Sequence, residues 1–145
     1  MNRTILVAIA VWISAASFSV AETIPAGTPL IARTVEPVSD HARLGTLFKA
    51  ELEHDVVING KVLLRAGTPV IGVVETSLGT RPASSTLTVN LKTISMNGRN
   101  VSVHTTGGYG LERFKTKRGV SVSGRDWNFP YRTRIAFKLA QPVNL

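Results

Sequence analysis

The chain has 145 residues, a length that suits one domain and leaves no room for two domains with separate hydrophobic cores. Hydrophobic residues make up 43% and charged residues 18%, which excludes both a disordered polyelectrolyte and a polytopic membrane protein. The net charge is +8, and the absence of cysteine excludes disulfide bonds, thiolate zinc sites, a cysteine nucleophile and a lipidated N-terminal cysteine.

The first 21 residues have the features of a secretory signal peptide. Arg3 supplies a positive charge, residues 5–16 form a short apolar run, and Ser-Val-Ala at residues 19–21 matches the small-x-small cleavage pattern. The run is shorter than the roughly 20 apolar residues that a membrane-spanning helix needs. We therefore expect export and cleavage, with one domain over residues 22–145 in the periplasm or associated with the outer membrane.

Alternation of apolar and polar residues predicts β-strands along the exported chain. Between Thr86 and Lys92 the alternation is strict, with Leu87, Val89 and Leu91 on one face, which is typical of a half-buried strand. No segment after the signal has the apolar spacing of a sustained amphipathic helix. We predict strands over residues 28–38, 46–53, 56–58, 62–64, 69–77, 85–95, 99–106 and 131–141.

Turn chemistry indicates that these strands are antiparallel. Asn59-Gly60 and Asn97-Gly98 each separate two apolar runs, and Asn-Gly is the pair that best tolerates the positive φ angles of a type I′ hairpin. The predicted fold class is all-β, as a small antiparallel β-barrel or closed sandwich. The predicted core consists of Leu30, Phe48, Leu52, Val56, Ile58, Val62, Leu64, Val70, Leu87, Val89, Leu91, Val101, Val103, Ile135, Phe137 and Leu139.

Two segments of the chain are repeated. Residues 24–30 (IPAGTPL) return as residues 64–70 (LRAGTPV), each with a glycine turn and a proline just before a strand, where proline costs no ladder hydrogen bond. Residues 28–38 (TPLIARTVEPV) resemble residues 133–143 (TRIAFKLAQPV). We predict that these two terminal strands lie side by side and close the sheet, which removes exposed strand edges.

The irregular segment 107–128 is predicted to be a long basic loop or hairpin between two strands. It carries five basic residues in thirteen positions together with aromatic residues. Such a surface suits peptidoglycan, anionic outer-membrane lipid or DNA in transit, whereas export argues against cytoplasmic nucleic acid. A solvated loop whose aromatic residues cap the barrel is the alternative. The predicted binding residues are Arg113, Lys115, Lys117, Arg118, Arg125 and Trp127.

The sequence contains no recognisable catalytic constellation. His41, His54 and His104 lie at no metal-ligand spacing, and no nucleophile motif is visible. Glu51 and Glu53 share a strand face and could form a cell-wall hydrolase pair, but the same spacing is typical of a solvated strand face. We therefore predict a non-enzymatic protein without metal or cofactor.

The order of several motifs resembles a known family. These are IPAGT at residues 24–28, Val38-Ser39-Asp40, Gly45, Asp55-Val56, LLxAGTxVIG at residues 63–72 and Asn97-Gly98-Arg99. The order is similar to the C-terminal β-barrel domain of TrbI-like scaffold proteins of conjugation and type IV secretion machines, and to small exported proteins built on the same frame. The resemblance implies a β-barrel scaffold or accessory module that binds other envelope proteins or assembles with itself.

Overall fold

The computed structural model describes residues 21–77, 87–110 and 129–145, with the backbone alone for residues 107–110. These residues form strands, turns and bends without a helix, as the alternating pattern predicts. The strands are β1 Thr23–Ile24, β2 Pro29–Thr34, β3 Leu47–Leu52, β4 Val56–Ile58, β5 Lys61–Leu64, β6 Pro69–Thr76, β7 Thr88–Met96, β8 Arg99–Ser102, β9 Thr105–Gly110, β10 Arg134–Leu139 and β11 Val143–Asn144.

Seven strands form one antiparallel sheet in the order β8-β7-β6-β3-β2-β10-β9, which curls into a half-barrel. Its two edge strands follow each other in the chain and meet at a corner. At this corner, the Val103 N–H donates to the carbonyl oxygen of Lys92 in β7. The carbonyl oxygen of His104 accepts from the N–H of Ala140, which directly follows β10. The predicted all-β antiparallel fold class is confirmed.

The predicted pairing of the terminal repeats is also confirmed. Strands β2 and β10 are antiparallel neighbours, with Arg33 opposite Arg134 and Leu30 opposite Phe137. The pair lies within the sheet, however, and the two edges that approach each other are β8 and β9. Outside the sheet, β1 pairs with β11, and Thr23 Oγ1 donates to Asn144 Oδ1 at 2.8 Å. The two ends of residues 22–145 therefore lie together.

The repeated glycine turns have the same geometry. Gly27 and Gly67 have φ angles of 83° and 82°, as the third residue of a type II turn requires. Gly67 N donates to Leu52 O at 2.7 Å and Leu52 N donates to Thr68 O at 3.0 Å, the pattern of a G1 bulge. Gly27-Thr28 makes the same two bonds with Leu139.

Gly45-Thr46 forms a third copy of this turn, which the repeated AGTP motif does not predict. Gly45 has a φ of 82°, its N–H donates to Val74 O, and Val74 N donates to Thr46 O, both at 2.9 Å. The sequence signal for this third turn is a Gly-Thr pair directly before an apolar strand. In the other two copies a proline follows the pair, whereas Leu47 follows it here. We call the three the Gly-Thr turns; each places one strand start against a neighbouring strand.

Thirteen of the predicted core residues are buried, among them Val89 and Ile135 with no exposed surface. Three are not: Val62 is 43% exposed, and Ile58 and Val101 are only partly buried. The reason is that β4 and β5 form a separate two-stranded hairpin, and Val101 lies on an edge strand. The core also contains residues outside the prediction: Ile24, Ala32, Val38, Ala50, Val74, Ile94, Phe129 and Val143.

Several predicted boundaries differ from the structure. The strand predicted over residues 28–38 ends at Thr34, and the strand predicted over residues 131–141 spans only Arg134–Leu139. The segment 99–106 is not one strand, because the chain changes partner at the corner between β8 and β9. The irregular segment was predicted to begin at Gly107, but β9 continues to Gly110 by pairing with β10, where Tyr109 lies opposite Ala136. Residues 111–128, the rest of that segment, lie outside the described residues, as does the predicted signal peptide up to residue 20.

Candidate functional site

The predicted binding residues Arg113, Lys115, Lys117, Arg118, Arg125 and Trp127 all lie outside the described residues. Their role in binding anionic material stays a prediction of the sequence. The structure instead brings together charged and apolar groups that are far apart in the chain, in a carboxylate–arginine cluster and in a groove beside β5.

The carboxylate–arginine cluster links three neighbouring strands. Glu53 directly follows β3, and its Oε1 accepts a hydrogen bond from Arg33 of β2 at 2.5 Å while its Oε2 accepts one from Arg134 of β10 at 2.6 Å. The Glu53 side chain is 12% exposed, against 28% and 36% for the two arginines. A carboxylate therefore separates two guanidinium groups that would otherwise repel each other across adjacent strands.

The environment of Glu53 determines its protonation. The hydrogen bond from Arg134 lowers the pKa of Glu53 most, and Arg33 adds to the effect against the opposing effect of desolvation. A glycosidase general acid needs a raised pKa, so Glu53 is poorly suited to that role. Glu53 is also not the solvated residue that its spacing from Glu51 suggested, because two distant strands supply its partners.

The three histidines stand apart from one another. His41 Nδ1 lies 2.7 Å from Asp40 Oδ1, His54 Nε2 lies 4.0 Å from Glu53 Oε2, and His104 is exposed at the corner between β8 and β9. Within residues 21–77, 87–110 and 129–145, no three or more His, Cys, Asp and Glu side chains are placed to hold a metal ion.

A groove of about 260 Å³ separates β5 from the end of β7. Strand β5 and the Gly67-Thr68 turn form one wall through Val62, Leu63, Leu64, Arg65 and Thr68, and Ser95, Met96 and Asn97 form the other. Leu63 and Met96 are partly buried against the core. We call this the β5 groove.

The β4–β5 hairpin presents apolar side chains to solvent next to this groove. Val57 and Val62 are direct cross-strand partners and are 52% and 43% exposed. The hairpin is held to the body by the buried Val56 and Leu64 and by the hydrogen bond from Ala66 N to Asp55 Oδ1 at 2.7 Å. A fixed, solvent-facing apolar pair of this kind is suited to contact another protein.

A second groove, of about 360 Å³, lies on the outer face near the corner between β8 and β9. Glu75, Asn90, Lys92 and His104 are among its lining residues. Thr105 is bonded into its wall, since its Oγ1 accepts from Leu91 N at 2.8 Å. The lining mixes these polar side chains with the apolar Val73 and Val103.

Among the residues that the structure describes, none lies in a helix long and apolar enough to span a membrane. No family model matches the chain, and the curated proteins compared with it gave no match. A solved structure does match: ComB10 of the Com type IV secretion system of Helicobacter pylori, at 13% identity and a TM-score of 0.53. The match covers 84% of this chain and 90% of that one, so the two proteins share a fold.

Proposed function

We propose that this protein is an exported, non-enzymatic scaffold or accessory module of a type IV secretion-like or conjugation apparatus in the cell envelope. The observation that carries the proposal is the fold shared with ComB10, a component of such a system, over most of both chains. Because the identity is 13%, the likeness supports the architecture, and the role is our inference from it.

Three independent features support the proposal. The leader at residues 1–21 would deliver the chain to the compartment where such machines are assembled. The motif order resembles the TrbI-like scaffold barrel. The exposed apolar residues Leu44, Leu47, Val57 and Val62 offer surface for contacts with other envelope proteins or with a second copy of this chain.

Crosslinking in cells tests this role. The tagged full-length protein would be expressed in a strain that carries a type IV secretion or conjugation apparatus, crosslinked, extracted from the envelope and sized. We expect a species well above 15.6 kDa that contains apparatus components, together with reduced transfer when the gene is deleted. A monomer that purifies alone, combined with unchanged transfer in the deletion strain, would contradict the proposal.

A further inference from the structure

We propose that the β5 groove binds an extended, acidic segment of a partner protein, which adds as a strand to the free edge of β5. This inference deepens the proposed function and rests on it, because it assigns one surface through which the module would hold an envelope partner. Three features of the hairpin and groove favour this occupant: the backbone register of β4 and β5, the apolar lining and the charge at the rim.

The register leaves backbone groups unpaired at the groove. Ile58 and Lys61 flank the two-residue Asn59-Gly60 turn and form its hydrogen-bonded pair. The next pair, Val57 and Val62, is then non-hydrogen-bonded, so the N–H and C=O of Val62 point away from β4. Within the described part of the chain, no group bonds to the Val62 N–H.

The free edge of β5 is anchored to the core and bordered by apolar side chains. Leu64 is 2% exposed and anchors the strand to the core, while Leu63 and Met96 both line the groove. An added strand could therefore make two hydrogen bonds with Val62 and place an apolar side chain between Leu63 and Met96. Backbone hydrogen bonds for affinity and a side-chain pocket for specificity are how proteins recognise extended peptides.

The charge at the rim favours an acidic occupant. Arg65 lines the groove and Arg99 lies directly opposite Met96 in the β7–β8 pair, and neither has an ion pair within the described ranges. The nearby acids are already engaged, Glu22 with Lys61 and Asp55 with the Ala66 N–H. Two arginines that form no ion pair within the described residues, beside an open strand edge, would attract carboxylates on the incoming segment.

The probe for this inference is an eight-residue peptide that alternates valine with glutamate, added to the isotope-labelled mature protein. Chemical-shift mapping should show saturable changes at the amides of Val62, Leu63 and Met96. The same peptide with every backbone nitrogen methylated has no N–H group to donate to a strand and should not bind. A valine–lysine peptide should bind at least fivefold more weakly, because Arg65 and Arg99 would repel it.

Variants of the two hairpin edges separate the groove from the rest of the surface. Val62→Pro removes the outward N–H of β5 and should weaken binding about tenfold, as expected for a lost hydrogen bond. Val57→Pro removes the equivalent N–H from the other edge of the same hairpin and should leave binding within about twofold. Arg65→Glu should also weaken binding, while Arg43→Glu, at an exposed site outside the groove lining, should not.

Three outcomes would overturn the inference. These are absence of binding at millimolar peptide, shifts confined to another strand edge, and a dimer of this chain that Val62→Pro abolishes while the peptide does not bind. Because the experiment uses purified protein and a synthetic peptide, its failure would leave the crosslinking result intact. Conversely, peptide binding by a protein that purifies alone, with unchanged transfer in the deletion strain, would retain the groove and contradict the secretion role.

Discussion

Arg33 and Arg134 are direct cross-strand partners in the β2–β10 pair, and one carboxylate, Glu53, accepts a hydrogen bond from each. Like charges directly opposite each other destabilise a sheet. Glu53 relieves that repulsion and connects the end of β3 to β2 and β10. The cluster thus links Glu53 to Arg33, which is 20 positions away in the chain, and to Arg134, which is 81 positions away.

Glu53→Gln should lower the free energy of unfolding by about 1–2 kcal/mol at pH 7, between the values for exposed and fully buried ion pairs. The amide keeps the shape of the side chain but leaves the two guanidinium groups without a counter-charge. Urea denaturation of both proteins measures the difference. Glu75→Gln, at an exposed acid with no ion pair in the described residues, is the matched control and should change stability by less than about 0.5 kcal/mol.

The stability that Glu53 contributes should depend on pH. Because its pKa is lower in the folded than in the unfolded protein, the contribution is complete above the ordinary value of 4.5 and is lost as the pH falls through the folded pKa. The melting temperatures of wild type and Glu53→Gln should therefore differ at pH 7 and converge progressively as the pH falls from 4.5 through the lowered folded pKa of Glu53. A difference that stays constant across this range would show that Glu53 acts through packing instead of charge.

Gly72 is required by the aromatic ring opposite it. Phe48 and Gly72 are cross-strand partners in β3 and β6, and a Cβ atom at position 72 would lie closer than 3.0 Å to the ring. Gly72→Ala should cost about 1–3 kcal/mol, as for other overpacked cores. Phe48→Leu should relieve the clash, so that the double variant is more stable than the sum of the two single changes predicts. Strict additivity in denaturant unfolding would contradict this explanation.

The Gly-Thr turns allow backbone conformation to be tested without steric contact. A Cβ atom at Gly67 would meet no atom within 4 Å, but its φ of 82° is unfavourable for other residues. Gly67→Ala should therefore destabilise the protein by about 1–2 kcal/mol, and Gly67→Asn by less, because asparagine tolerates this region better. Equal losses in thermal unfolding for the two variants would point to a cause other than φ.

Local sequence patterns predicted those parts of the fold that depend on neighbouring residues. Period-two alternation located most strands, and Asn59-Gly60 and Asn97-Gly98 adopt the positive φ expected of their turns at all four residues. The pairing of β2 with β10 was also predictable, because both strands carry the same pattern and end near a Pro-Val. These features are encoded within segments of about ten residues.

Features that depend on tertiary placement were missed. Nothing near Val62 indicates that its hairpin leaves the main sheet, so an apolar residue of β5 was assigned to the core. Glu53 was interpreted from Glu51 alone, whereas its environment comes from Arg33 and Arg134. The β5 groove could not be predicted either, because it depends on how strands far apart in the chain are placed. It forms where the end of β7 extends past Pro69, the first residue of β6, and lies near β5.

The basic residues of the irregular segment 107–128 predict charge-driven attachment to the envelope. Changing Arg113, Lys115, Lys117 and Arg118 to serine should weaken binding to purified sacculi or to anionic lipid vesicles at 0.1 M salt. Wild-type binding should itself fall between 0.1 M and 1 M salt, because the Debye length drops from about 10 Å to about 3 Å. Sedimentation with each material measures both effects and shows which of the two is bound.

The control for that experiment is a second variant with the same net charge as the first, but with the four basic residues removed from other positions. Four other positive charges, in the described part of the surface, are removed by changing the exposed Arg43, Lys49, Lys92 and Lys138 to serine. If the basic segment is the contact, this second variant should retain more binding than the first at 0.1 M salt. Equal losses would assign the attraction to the overall charge of +8, and binding that is insensitive to salt would exclude an electrostatic attachment.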